Sequence, residues 1–297
     1  VTSAKAHQAR RNLVGWLFIS PWLVGFLVFT AWPFVQSIYL SFTRYNIVTP
    51  AKWVGIANYR MLLTDDDLFW KSAWVTIKYA AISVPLAIVA GVGLALLLNA
   101  NVKGIAVFRT IFYLPSIVPT VATSVLFIWL LNPNIGLINK ILELVGIRGP
   151  NWLHSVPWTF CSFVGMALWG VGGSMVIYLA GLKDIPAYLY EAATLDGASS
   201  YLKLRYVTLP MMTPVIFFNL VMGIIGAFQT FTQAYVIAPS GGPQDSTYFY
   251  SLYLYNRAWK YFDMGYASAM AWILFVVIIL LTAIVFKTRE RWVHYGA

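Results

Sequence analysis

Six apolar stretches, separated by short polar segments, organise this chain. They cover about residues 13–40, 72–98, 105–131, 157–182, 214–238 and 266–286. Each meets the roughly 17–25 residues that a helix needs to cross the hydrocarbon core of a bilayer, with some excess that tilt absorbs. Backbone polar groups in lipid must be satisfied within the structure, and no ten-residue alternating segments of a barrel occur, so the spans are read as helices. The pattern predicts an all-α membrane protein with six transmembrane helices. One span domain, 13–288, lies between an N-terminal tail, 1–12, and a C-terminal tail, 289–297. No tandem repeat or low-complexity linker interrupts it, and no connection is large enough for a separate domain.

Composition changes the picture little. Charged residues are 10% of the 297 positions and hydrophobic ones 60%, against roughly 25% charged in soluble domains. So little charge cannot cover a soluble surface, and the mean hydropathy of +0.73 agrees. The 13 Trp and 18 Tyr suit the two interfaces of a membrane protein. A net charge of +10 does not point to nucleic acid, because no basic block with interleaved aromatics occurs. The single cysteine, Cys161, lies in an apolar run and is expected to be a small core residue; an intrachain disulfide and a cysteine metal cluster are excluded. The opening Lys5, Arg10, Arg11 and the apolar run after them exceed a signal peptide's apolar region and lack a small-residue cleavage site, so this run is expected to be a retained first span.

Orientation follows from Lys and Arg. With the N-terminus inside, the inside set is Lys5, Arg10, Arg11, Lys103, Arg109, Lys183, Lys203, Arg205, Lys287, Arg289 and Arg291, eleven residues on short loops and tails. The other side has nine on longer connections. Short loops set topology, so both termini are expected inside, in the cytoplasm. The outer connections include Asp65-Asp66-Asp67 and the turn signal Ser240-Gly241-Gly242-Pro243.

The polar loop between the fourth and fifth spans, 183–213, has its own grammar. Pro186 suits a helix start. Ala187 to Leu195 are good helix formers, with the small pair Ala192-Ala193 after Glu191. Asp196-Gly197 should break that helix, and Ser199 or Ser200 can cap a second one. The second helix is expected to reach about Thr208 and to stop before Leu209-Pro210. Small residues at the bend would let another protein's surface come close.

Glu191-Ala192-Ala193, then Asp196-Gly197-Ala198, then Leu209-Pro210, placed before the last two spans, resemble the "EAA" loop of permease subunits in ATP-binding-cassette importers. Leu204 and Val207 stand where relatives often carry Phe and Ile, and both stay apolar. Ser20-Pro21-Trp22, Pro33, Ser41-Phe42-Thr43, the run from Val54 to Tyr59, Phe108-Arg109, Tyr113-Leu114-Pro115 and Gly241-Gly242-Pro243 extend the resemblance over nearly the whole chain, to the carbohydrate-uptake branch. The chain is similar to the larger maltose permease subunit without its big periplasmic insertion. The resemblance implies a MetI-like, type I importer core with a cytoplasmic coupling-helix loop, in a bacterial or archaeal cytoplasmic membrane. It implies a heterodimer with a second related permease, two cytoplasmic ATPase subunits that bind ATP and Mg, and an extracytoplasmic solute-binding protein. Glu191, Ala192, Ala193, Asp196, Gly197, Ala198, Leu204, Leu209 and Pro210 would couple this chain to the ATPase.

No site for a reaction is legible in the chain itself. There is no G-x-x-x-x-G-K-[ST] run. His7, His154 and His294 are isolated, no carboxylate pair or metal-ligand spacing sits in a span, and no nucleophile has a nearby base. No catalytic residue, metal or cofactor is therefore expected here. A sugar site needs aromatic faces and neutral amide or hydroxyl partners near mid-membrane. The fourth span offers Trp169-Gly170-Val171-Gly172-Gly173-Ser174. The fifth offers Asn219, Gly223, Gly226, Thr230 and Gln233 at a 3–4 residue spacing, near one helical face. The resemblance favours Trp169, Gly170, Gly173, Gly223, Ala227 and Thr230 for the solute path; Gln229 and Gln233 join them on chemistry. The same residues would also serve plain helix packing and interhelical hydrogen bonds. The expected substrate is a saccharide, most simply an oligosaccharide. A glycerol phosphate or polyol is the alternative, and the lack of Lys or Arg in the fourth and fifth spans weighs against a phosphate. More distant are an integral-membrane enzyme and a secondary carrier, which would want ionisable groups at mid-membrane.

Overall fold

A computed structural model describes residues 2–294, with side chains from Asn12 onward. The side chains of Lys5, Arg10 and Arg11, part of the orientation argument, and of His7 lie outside the described residues, as do 295–297.

Helix α1 (Thr2–Phe26) passes through a π turn, Leu27–Ala31, into α2 (Trp32–Ser41). A hairpin of β1 (Thr43–Asn46) and β2 (Thr49–Trp53) follows, then α3 (Ala57–Thr64). Next come α4 (Asp67–Leu98), α5 (Ile105–Ile117), α6 (Thr120–Leu130), α7 (Leu137–Leu144), α8 (Trp158–Trp169) and α9 (Gly172–Lys183). The chain continues through α10 (Ala187–Leu195), α11 (Ser200–Lys203), α12 (Leu209–Phe228), α13 (Thr232–Ile237), α14 (Tyr250–Tyr255) and α15 (Met264–Thr288). Among the described residues, Asn12–Ser41, Asp67–Leu98, Ser200–Ile237 and Met264–Arg291 are each long and apolar enough to cross a membrane. Two bent pairs, α5 with α6 and α8 with α9, bring the number to six if each is one span. Many of their apolar side chains are without protein cover; Phe18 is 83% exposed and Phe29 81%, as expected where lipid is the solvent.

Two expected spans are not straight helices. α5 and α6 meet at 100°. Val118 is extended there (φ −68°, ψ 130°) in front of Pro119, because the proline ring pushes the preceding residue out of the helical region. α8 and α9 meet at 44°. Gly170, Gly172 and Gly173 fall at that junction, and each weakens a helix by about 1 kcal/mol.

The fifth span differs in the opposite sense. The expected stop before Leu209-Pro210 does not occur: Leu204–Thr208 form a π turn whose last bond runs from the Leu209 N–H to the Leu204 carbonyl, and the helix continues. Pro210 has no N–H for the turn before it, and its ring crowds the carbonyl four residues back; one wide turn relieves both. The span instead breaks after Phe228, and a new helix starts at Thr232.

The chain divides into two compact units, Val1–Asp65 with Tyr255–Ile273, and Asp66–Leu254 with Leu274–Ala297. In the first, the run from Val54 to Tyr59 gains a physical role. Asn58 Nδ2 donates to the carbonyls of Ser41 (2.8 Å) and Thr43 (2.9 Å), and the Tyr59 hydroxyl donates to Ser41 Oγ at 2.8 Å. They satisfy the end of α2, where carbonyls lack helical partners. The hairpin was not foreseen: its strands are too short for alternation to show, and Asn46 closes the turn by accepting from the Thr49 N–H at 2.8 Å.

In the second unit, α4 packs along α8, α9 and α12. Val92, Ala95 and Leu98 bury one face of its last turns against Met175, Tyr178, Leu179 and Leu182 of α9 and Met212 of α12. Asp66 caps α4 by accepting from the Phe69 N–H at 2.9 Å. Cys161, expected in the core, is exposed: its side chain points off the outer side of α8, whose buried face is Thr159, Ser162, Phe163, Val164 and Met166.

Candidate functional site

A cavity of about 510 Å³ opens among α4, α6, the α8–α9 junction, α12 and α13. Its polar lining is Tyr79 and Ser83 of α4, Thr120 at the start of α6, Ser174 and Tyr178 of α9, Asn219 of α12, and Gln229, Thr230, Thr232 and Gln233 around the α12–α13 break. Among the described residues that line it, none is charged. Such a wall offers hydroxyl and amide partners together with the aromatic faces of Tyr79, Tyr178 and Phe231.

Of the eight residues singled out for a solute path, Gly170, Gly223, Ala227, Gln229, Thr230 and Gln233 line this cavity. Trp169 and Gly173 lie outside the lining; Trp169 stacks edge to face on Phe127 at 5.8 Å, and Gly173 faces Ser116. The single-face argument for the fifth span ends at Phe228, since Thr230 is not helical. The break itself turns Gln229, Thr230 and Gln233 to the same space as Asn219. Tyr79, Ser83, Thr120 and Tyr178 were not anticipated. The pair Tyr79 and Ser83, four residues apart in an apolar span, was a usable signal. Thr120 was not, because its place depends on the 100° bend.

The second feature is the loop after α9. α10 ends at Asp196, and Gly197 has φ +79°, a conformation glycine adopts without a Cβ penalty. The Gly197 N–H donates to the Thr194 carbonyl (3.0 Å) and the Ala198 N–H to that of Ala193 (2.8 Å), the paired bonds of a Schellman cap. Ala193 therefore serves the turn through its backbone. Ser199 Oγ then accepts from the Leu202 N–H at 3.4 Å to start α11.

Hydrogen bonds join the loop's two arms. Lys203 Nζ donates to Thr194 Oγ1 at 2.8 Å, and the Tyr190 and Thr208 hydroxyls are 3.0 Å apart. Leu189, Tyr190 and Val207 pack on the α4–α9 core. The opposite side is bare: Glu191, Ala192 and Asp196 are exposed, and Leu195 is 90% exposed. Tyr188, Tyr201 and Tyr206 also stand out from it. Leu204 is half-buried in the π turn, Leu209 lies at the exposed margin, and Pro210 is half-buried at the base of α12. Among the described residues, no group of three or more His, Cys, Asp or Glu could hold a metal ion.

Bent membrane-length helices, a neutral polar cavity and a hydrogen-bonded loop with an exposed side together fit an importer permease. The chain belongs to the binding-protein-dependent transport system inner membrane component family, which it matches over residues 83–294. It is 46% identical to the probable ABC transporter permease protein YesP of Bacillus subtilis, over 98% of this chain and 95% of that protein. It is 34% identical to the trehalose/maltose transport system permease protein MalF of Thermococcus litoralis, over 94% of each. Its fold matches a chain in the crystal structure of a bacterial ABC transporter involved in the import of the acidic polysaccharide alginate, with TM-score 0.85 and 22% identity over 97% of this chain and 99% of that one.

Proposed function

We propose that this chain is a permease subunit of an ATP-driven, binding-protein-dependent importer that carries a saccharide, most simply an oligosaccharide, across the cytoplasmic membrane by alternating access. The observation that carries the reading is the uncharged cavity of hydroxyl, amide and aromatic groups, in the same unit as the loop. Named relatives of similar length support a sugar: a lactose permease of Rhizobium radiobacter and an arabinooligosaccharide permease of Bacillus subtilis are each 31% identical.

In this reading six spans put both termini and the Glu191 loop inside. A second related permease completes the path, and two ATPase subunits bind ATP and Mg. An extracytoplasmic solute-binding protein delivers the sugar. The bare side of α10 and α11 is the surface the ATPase grips, with Glu191, Ala192, Asp196, Gly197 and Ala198 at its bend. ATP-driven closure of the ATPase pair pulls this loop, which is packed on α4 and α9 and therefore moves the cavity walls with it. Hydrolysis belongs to the ATPase, and this chain supplies path and lever.

The test is uptake of lactose, maltotriose and arabinotriose by proteoliposomes holding the complex purified through this chain, with its binding protein outside and ATP inside. ATP-dependent uptake of one of these supports the reading, and Thr230→Val and Gln233→Leu should lower it while binding-protein-stimulated ATP hydrolysis persists. Uptake that proceeds without ATP would overturn it.

A further inference from the structure

Tyr178 is wholly buried, and among the described residues its hydroxyl has no hydrogen-bond partner. Burying a polar group in that state is costly, and native chains seldom leave one without a reason. The side chain sits where the cavity ends. Tyr178 and Ser174 line the cavity, whereas Leu179 and Leu182, the next turn toward the Glu191 loop, belong to the apolar core with Val92, Ala95 and Met212. The ring lies across the α4–α9 seam. A Cβ on Gly91 of α4 would come within 2.7 Å of Tyr178 Cε2 and 3.1 Å of Ser174 Oγ. Glycine at 91 therefore lets the phenol wedge flat between the two helices.

These positions make Tyr178 the floor of the cavity on the side of the loop. The α9 helix that carries it leads through Lys183 and Asp184 into α10, so a pull on the loop acts directly on the α4–α9 seam. We propose that Tyr178 is the inner gate of the solute path: the seam closes on its ring, and when the seam opens its free hydroxyl serves as a polar partner for a saccharide hydroxyl leaving the cavity. The proposal rests on the importer reading for its substrate, while its gating part concerns this chain's own movement.

Two measurements test it. The first needs no sugar. In a Cys161→Ser background, the Tyr178→Cys variant of the assembled complex is treated with a methanethiosulfonate reagent, once without nucleotide and once trapped with ATP, Mg and vanadate. A gate predicts a labelling rate that differs about tenfold or more between the two states, as burial and exposure of one thiol require. Equal rates overturn the gate. The second is Tyr178→Phe, which keeps the ring and removes the unpartnered hydroxyl. It should leave the complex as stable to heat as the parent, or more so, yet lower saccharide uptake by about 2- to 10-fold, the worth of one hydrogen bond. Parental uptake overturns the contact. If the parent complex moves no saccharide at all, the importer reading fails, while the labelling result still decides the gate.

Discussion

The hydroxyls of Tyr190 and Thr208 lie 3.0 Å apart and join the root of α10 to the π turn beneath α12. Thr208 is buried, and its Oγ1 also donates to the Lys203 carbonyl at 3.3 Å. The loop is therefore fastened at its base as well as at its tip, where Lys203 meets Thr194. If the loop is the lever proposed above, this fastening lets it move as one body.

A double-mutant cycle on Tyr190→Phe and Thr208→Val should give a coupling energy of about 0.5–1.5 kcal/mol in the thermal stability of the complex. Solute moved per ATP should fall in both single variants. Additive stabilities would show that the two arms are independent.

Gly197→Ala isolates the backbone conformation at the bend. A Cβ at φ +79° costs about 1–2 kcal/mol, and nothing lies within 4 Å for it to strike. The loop should loosen, and less ATPase should co-purify. Gly197→Asp adds charge and should reduce ATPase recovery further. Full recovery in both variants would remove the bend from the docking surface.

Asp66 is buried and accepts from the Phe69 N–H at 2.9 Å and from the Tyr253 hydroxyl in a short bond. Asp66→Ala removes a helix cap and leaves the Tyr253 hydroxyl without this acceptor. It should lower stability by about 1–3 kcal/mol, more than Tyr253→Phe, which leaves the cap in place. Thermal unfolding of the purified complex checks the order, and the reverse order would show that the tyrosine, not the cap, holds this end of α4.

Topology is open to cysteine labelling in a Cys161→Ser background, which is needed because Cys161 is exposed. Gln244→Cys is the better outer probe than a cysteine at Ser246, whose hydroxyl is buried. An impermeant reagent on intact cells should reach position 244 and not a cysteine at the exposed Ser199. Labelling at 199 from outside would invert the orientation.

The sequence by itself determined the membrane class and the first helix, bend and cap of the loop, though not the end of its second helix. Runs of apolar residues with few charges leave no other solvent. Pro186, Asp196-Gly197 and Ser199 act through their own backbones and nearest neighbours, so their effects are local and legible. The run from Val54 to Tyr59 was visible as a motif, but not as the cap on α2 that Asn58 makes.

Tertiary structure alone decided the cavity. Apolarity is the same for a straight span and a bent one, so hydropathy could not show the bend at Val118-Pro119, the break at Gly170 or the wide turn that carries the helix past Pro210. The first two of these departures, with the break after Phe228, bring Thr120, Ser174 and Thr230 to one space. The family resemblance put Trp169 on the solute path, yet its ring goes to Phe127. The burial of Tyr178 depends on Gly91, 87 residues away along the chain. A pairing between distant segments leaves no local pattern, and packing of the folded helices is what selects it.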